Sequence, residues 1–138
     1  MGNLVRYNLF LDDERNPSNA YSYTNDLDYV TPSFNWVIVR NFDAFTDLIE
    51  ERFAKGEFPN IISFDHDLGK EHYKHAYSKV IPYDEYKEKT GYDCAKWLVD
   101  FCIDNCLELP KYKLHSMNTV GKQNILSYLE NAKKHTKI

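Results

Sequence analysis

Ile61-Ile62-Ser63-Phe64-Asp65-His66-Asp67-Leu68-Gly69 is the stretch that decides the fold. A short, mainly apolar run that acids stop at once reads as a buried strand of a parallel sheet, with acids at its C-terminal end. The same figure occurs once earlier: Tyr7 to Leu11 runs straight into Asp12-Asp13-Glu14. Two further strands are expected at Trp36 to Val39 and at Tyr112 to Leu114, the latter ending at His115-Ser116.

Between the strands the period changes. Phe42, Phe45, Ile49 and Phe53 recur at three or four residues behind Asn41, a good N-cap, and Gly56 with Pro59 should end that helix. Thr90 to Asp93 has the spacing of a capping box, and Ala95, Leu98, Val99, Cys102, Ile103 and Cys106 form an apolar stripe behind it, up to Pro110. Asn118 or Thr119 should cap a last helix carrying Ile125, Leu129 and Ala132. Asn16 to Asn35 shows no helical period and reads as a long loop whose Tyr21, Tyr23 and Tyr29 cover the first strand or line a site. Gly69 to Lys89 is charged and aromatic without period, and is either a surface insertion or a lid. Strands alternating with helices imply an α/β domain with a parallel sheet. In such sheets ligands sit beyond the carboxyl ends of the strands.

The chain of 138 residues fits a single domain over 1–138, and its hydrophobic share of 43% is that of a globular protein. A net charge of −4 argues against broad nucleic-acid coating, but not against binding one nucleic-acid end. The odd cysteine count (Cys94, Cys102 and Cys106, the last two expected on one helical face) suits a reducing compartment and no disulfide-linked partner. No apolar run approaches a membrane span, no secretory pattern opens the chain, and Arg6 stands where a myristoylation site wants Ser or Thr. A cytoplasmic protein without membrane contact is expected.

The chemistry gathers at the strand ends. Asp12, Asp13, Asp65 and Asp67 are expected on one sheet edge. Like charges at about 4 Å repel by on the order of 4 kcal/mol at an effective dielectric of 20, so such a group wants a cation. Carboxylate oxygens suit Mg²⁺, with Mn²⁺ also possible. His115 is placed as a general acid or base. Ser116 and Asn118 precede a helix start that favours an anion, and Lys122 adds positive charge. Arg15 either balances the acids or contacts the phosphate of a ligand. His66 should point away from its acidic neighbours into a packing role, and His72, His75 and His135 should be solvated.

Leu11-Asp12-Asp13 and Phe64-Asp65-His66-Asp67-Leu68-Gly69 resemble the acidic strand ends of response-regulator receiver domains, with Asp65 at the phosphoacceptor position and Ser116 at that of the small hydroxyl residue. The fuller set is similar to the cyclic-phosphate-processing receiver-like family. It comprises Leu-Asp-Asp-Glu-Arg-x-Pro over 11–17, Trp36, Phe-Asp-His-Asp-Leu-Gly over 64–69, Thr-Gly-Tyr-Asp-x-Ala-x-Trp-Leu over 90–98, and His-Ser-x-Asn-x-x-Gly-x-x-Asn over 115–124. The resemblance implies a three-layer receiver-like fold with four strands in the order 2-1-3-4, without the receiver's fifth strand and its lysine. It also implies a metal-dependent phosphoesterase acting on a cyclic phosphate, either a small-molecule phosphate ester or a 2′,3′-cyclic RNA end, with His115 and Asp65 as catalytic residues. The alternative is a non-enzymatic receiver-like signalling or docking module, phosphorylated at Asp65 or not at all.

Overall fold

The computed structural model describes residues 3–69, 72 and 80–136, the side chains of 135 and 136 excepted. Strands β1 (Val5–Leu11), β2 (Val37–Val39), β3 (Glu57–Phe64) and β4 (Lys111–Leu114) form one sheet in the order β2-β1-β3-β4, every neighbour parallel. This is the expected receiver-like order. Among the described residues four α-helices with defined bounds accompany it: α1 (Pro17–Thr24), α2 (Phe42–Ala54), α3 (Gly91–Asp104) and α4 (Thr119–Thr136).

Alternation along the strands divides the core. Leu9 and Leu11 of β1 join Ile62 and Phe64 of β3 in a cluster with Phe45 and Ile49 of α2, Leu98 and Cys102 of α3, and Ile125 and Leu129 of α4. Phe10 projects to the other side, where Ala20 of α1, Tyr29 and Trp36 cover it. Tyr29 meets the Phe10 ring edge-on at 5.9 Å. Tyr29 thus covers the first strand, as expected.

Local capping follows the expected chemistry. Asn41 Oδ1 accepts from Ala44 N at 2.8 Å at the start of α2. Thr90 and Asp93 cap α3 reciprocally, Asp93 Oδ2 accepting from Thr90 N at 2.8 Å. Asn118, not Thr119, caps α4: its Oδ1 accepts from Gly121 N at 2.9 Å.

Four expectations are corrected. The stretch 16–35 is not a plain loop, since it opens with α1 and adds two 3-10 turns. Pro17 stands at the first turn of α1, where its missing N–H is harmless. β3 begins at Glu57, and Pro59 lies inside it beside a register shift against β1 that accommodates the residue without a donor. α3 stops at Asp104, so Cys106, exposed and at φ 54°, lies beyond the helix and shares no face with buried Cys102. His72 is fully buried, its Nδ1 accepting from Leu68 N at 2.8 Å and its Nε2 facing the Glu88 carbonyl at 2.8 Å. A ring that bridges two backbone groups in this way is a packing element, not a solvated one. His75 and the side chain of His135 lie outside the described residues. No helix of the described residues is long and apolar enough to cross a membrane, and the three cysteines are free.

Candidate functional site

Strand register builds the site. Leu11, Phe64 and Leu114 stand level across the sheet, so the next residue of each strand falls in one row. Those residues are Asp12, Asp65 and His115. The ladder continues one step to seat them: Asp65 N donates to Leu11 O at 3.0 Å and His115 N to Phe64 O at 3.1 Å. All three share the parity of Phe10 and Ser63, on the face that α1 covers, and the His115 ring stacks on Phe10 at 4.3 Å and 9°. Asp12 is 0% exposed, Asp65 2% and His115 1%.

Both oxygens of Asp12 have partners, but among the described residues only one of Asp65 does. Asp12 Oδ1 accepts from the backbone N–H groups of Glu14 and Arg15 at 2.9 and 2.8 Å, and its Oδ2 lies 3.0 Å from His115 Nε2. Asp65 Oδ1 accepts from His66 N at 2.9 Å, whereas its buried Oδ2 has no hydrogen-bond partner among the described residues. One donor atom from each of Asp12, Asp65 and His115 lies within 4.8 Å of the other two. A buried oxygen with no donor, beside a second carboxylate and an imidazole, is a fitting place for a divalent cation.

The electrostatics agree. Burial holds the Asp65 carboxyl well above the ordinary carboxylate range, with the Asp12 charge adding to it and Arg15 opposing. Burial would push Asp12 upward as well, but the hydrogen bonds from His115 and from the Arg15 and Glu14 amides outweigh it and the net shift is downward. Burial lowers His115, against the pull of Asp12. The buried trio therefore favours one proton on Asp65 or a cation in its place.

The other expected residues divide. Asp13 is half-buried and close enough for its charge to raise Asp65, yet it is outside the trio. Asp67 turns away: its Oδ1 accepts from Asn118 Nδ2 at 3.1 Å and faces His66 Nδ1 at 2.8 Å. The structure thus ties Asp67 to the α4 cap rather than to the cluster, and both ends of the Asn118 amide are engaged there. Arg15 lies beside the acids, as one of its two expected roles requires. Its Nη1 is 3.8 Å from Asp12 Oδ2, and its half-exposed guanidinium lies over the Tyr23 ring. Ser116 is buried with its Oγ accepting from Asn118 N at 3.1 Å, and Lys122 is exposed. Ser116 and Lys122 line a cavity of about 500 Å³ that reaches His115 between Tyr23, Asp26 and Lys113.

His66 packs, as expected, but it does not point away from both acidic neighbours: its Nδ1 faces Asp67 Oδ1 at 2.8 Å. Its Nε2 meets Tyr83 Oη at 2.9 Å, and the same phenol accepts from Asn124 Nδ2 at 3.0 Å. A Cβ on Gly121 would stand 2.3 Å from the His66 ring, and one on Gly91 would stand 1.8 Å from the Asp65 carbonyl oxygen. Both glycines are therefore required by close approach.

Sequence reasoning missed Arg40, Ser63 and the details of Tyr23. Arg40 Nη1 donates to the Arg15 and Asp12 carbonyls at 2.7 and 3.3 Å and pins the loop that holds the acids. Tyr23 Oη donates to His115 O at 2.5 Å. Ser63 Oγ is 2.7 Å from His115 Nδ1 and 2.6 Å from Tyr29 Oη. A hydroxyl in the middle of an apolar strand was the one available signal for Ser63.

The family model described as Cyclic-phosphate processing Receiver domain matches residues 7–131. Comparison with curated proteins finds no match, and neither does comparison with solved structures.

Proposed function

Because the chain belongs to the cyclic-phosphate-processing receiver domain family, we propose that it opens a cyclic phosphate ester with the help of a divalent cation held by Asp12, Asp65 and His115. The observation that carries this reading is the buried Asp65 Oδ2, without a partner among the described residues, on a carboxylate that groups with Asp12 and His115. When bound there, a divalent cation supplies Lewis acidity to a phosphoryl oxygen. Two carboxylate oxygens suit Mg²⁺, and the imidazole shifts the preference toward Mn²⁺.

The chain's own residues do the rest. Arg15 and Lys122 place positive charge where an anionic ester would lie, and the Ser116 hydroxyl is left free to donate to a phosphate oxygen. The cavity of about 500 Å³ beside His115 has room for a small phosphate ester or the terminal nucleotide of an RNA. His115 has protein partners at both ring nitrogens. Because one of its nitrogens also lies within 4.8 Å of a carboxylate oxygen of both Asp12 and Asp65, we assign it to holding the cation in preference to the proton transfer that sequence suggested.

The test is a screen of nucleoside 2′,3′- and 3′,5′-cyclic monophosphates and cyclic-ended RNA with Mg²⁺ and Mn²⁺. Cation-dependent ring opening that Asp65→Asn abolishes is the expected result. No turnover of any ester, together with a stable aspartyl phosphate on Asp65 after treatment with a small phosphodonor, would establish the signalling module instead.

A further inference from the structure

The hydrogen bonds around His115 form one chain. Tyr29 Oη lies 2.6 Å from Ser63 Oγ, Ser63 Oγ 2.7 Å from His115 Nδ1, and His115 Nε2 3.0 Å from Asp12 Oδ2. Aspartate, histidine and serine in this order have the outline of a nucleophilic triad. Ser63, however, is at the closed end of the chain: it is 0% exposed and its hydroxyl is shared with Tyr29, itself 4% exposed. It cannot reach a substrate. We propose that Ser63 and Tyr29 are positioning residues that accommodate the Nδ1–H tautomer of His115 and so allow its Nε2 to hold a cation. The inference rests on the cation-dependent reading given above.

A count of donors fixes the direction of the chain. Ionised Asp12 only accepts, so without a cation the His115 hydrogen sits on Nε2. Nδ1 is then bare and accepts from the Ser63 hydroxyl, and Ser63 Oγ accepts from the Tyr29 phenol. Every hydrogen points toward Asp12. A cation at Nε2 needs the bare nitrogen there, which moves the hydrogen to Nδ1. No net proton is gained or lost: one leaves Nε2, one reaches Nδ1 by exchange with water, and the two hydroxyls rotate. Nδ1–H then donates to Ser63 Oγ, and Ser63 donates to Tyr29 Oη. Ser63 serves both states because a hydroxyl donates and accepts. Phe10, stacked on the imidazole at 4.3 Å, keeps the ring plane fixed while the hydrogens change sides.

The known influence of such outer partners on ligating histidines is about 10- to 100-fold in metal affinity. The experiment uses the full chain, Mn²⁺ calorimetry, and ¹⁵N imidazole NMR with and without Mg²⁺. Ser63→Ala should lower Mn²⁺ affinity by about 10- to 100-fold. Tyr29→Phe, which keeps the ring against Phe10 and Trp36, should lower it less and serves if Ser63→Ala does not fold. In the wild type the His115 hydrogen should be on Nε2 without cation and on Nδ1 with Mg²⁺. Wild-type affinity in folded Ser63→Ala, or in Tyr29→Phe if that is the folded variant, overturns the proposal, as does a His115 hydrogen already on Nδ1 without cation. If the wild type itself binds no Mn²⁺, the cation reading fails and this inference falls with it. If the wild type binds Mn²⁺ and the variants bind it equally well, only the inference falls.

Discussion

Asp12 and His115 meet at 3.0 Å although 103 residues separate them. They meet because β1 and β4 flank β3 at matching height, and each contributes the first residue past its end. His115 is consequently part of the acidic cluster rather than a neighbour of it. His115→Ala should reduce turnover of the true substrate and divalent affinity together. Parallel calorimetry and kinetics decide the matter: a loss of turnover at wild-type affinity would return His115 to the role of general acid.

Cation binding should raise the melting temperature, since only the folded chain assembles the trio. Asp12→Asn and Asp65→Asn should each diminish that rise with Mg²⁺ or Mn²⁺. Thermal melts across millimolar cation, with chelator as the reference, provide the measurement. A wild type whose melting is indifferent to both ions contradicts the site.

Asp65 and His115 pull stability in opposite directions between pH 3.8 and 6.5, the ordinary values of the two groups. Asp65 has a raised folded pKa, so its contribution is most favourable below 3.8 and is lost as pH rises from there. His115 has a lowered folded pKa, so its contribution is present above 6.5 and is lost as pH falls. With chelator present, Asp65→Asn should therefore melt above the wild type at neutral pH. Its advantage should shrink toward pH 3.8, leaving a steeper decline on acidification. Equal slopes for variant and wild type would show that Asp65 is not the source of the opposing effect.

Much of this was legible in advance. Acids directly after two apolar runs identified β1 and β3 and the edge where the candidate site lies, and the capping residues announced α2 and α3. What escaped reading did so for physical reasons. α1 buries little beyond Ala20 and carries no apolar period, so Pro17 was its clearest signal. Pro59 looked like a stop because a central strand rarely admits proline, and only the register shift explains its presence. Asp67 looked like a ligand by proximity in sequence, whereas chain direction after β3 sends it to Asn118. His72 sits among charged residues, and nothing local shows that its ring bridges Leu68 and Glu88. Ser63 and Tyr29 are 34 residues apart, and their contact exists only once the 3-10 turn folds over β3.

The segment before α3 is tied to the core through Tyr83, which touches His66 and Asn124. Tyr83→Phe removes both contacts and leaves His66 Nε2 without its partner. It should lower stability by about 1–3 kcal/mol, the usual cost of an unsatisfied buried group, and leave divalent affinity near wild type. Urea unfolding and calorimetry on the same sample separate the two effects. Replacing the whole insertion with a Gly/Ser linker should accordingly cost stability.

Thiol chemistry should single out Cys106. Burial pushes Cys94 well above the ordinary thiol range and Cys102 to about 12, whereas Cys106 is exposed beyond the end of α3. A chromogenic disulfide reagent should titrate one of the three thiols in the native protein and all three after denaturation. Two fast-reacting native thiols would mean that α3 opens readily.

Gly121 rests against the face of His66, with no room for even a methyl group between them. The ring acts as a spacer gauge: its thickness sets how far the start of α4 stands from the end of β3, and with it the distance from Ser116 to Asp65. A side chain added at 121 is tolerable only if the one at 66 shrinks. The two positions, 55 residues apart in the chain, should therefore behave in descent as a single heritable unit, exchanged together or not at all.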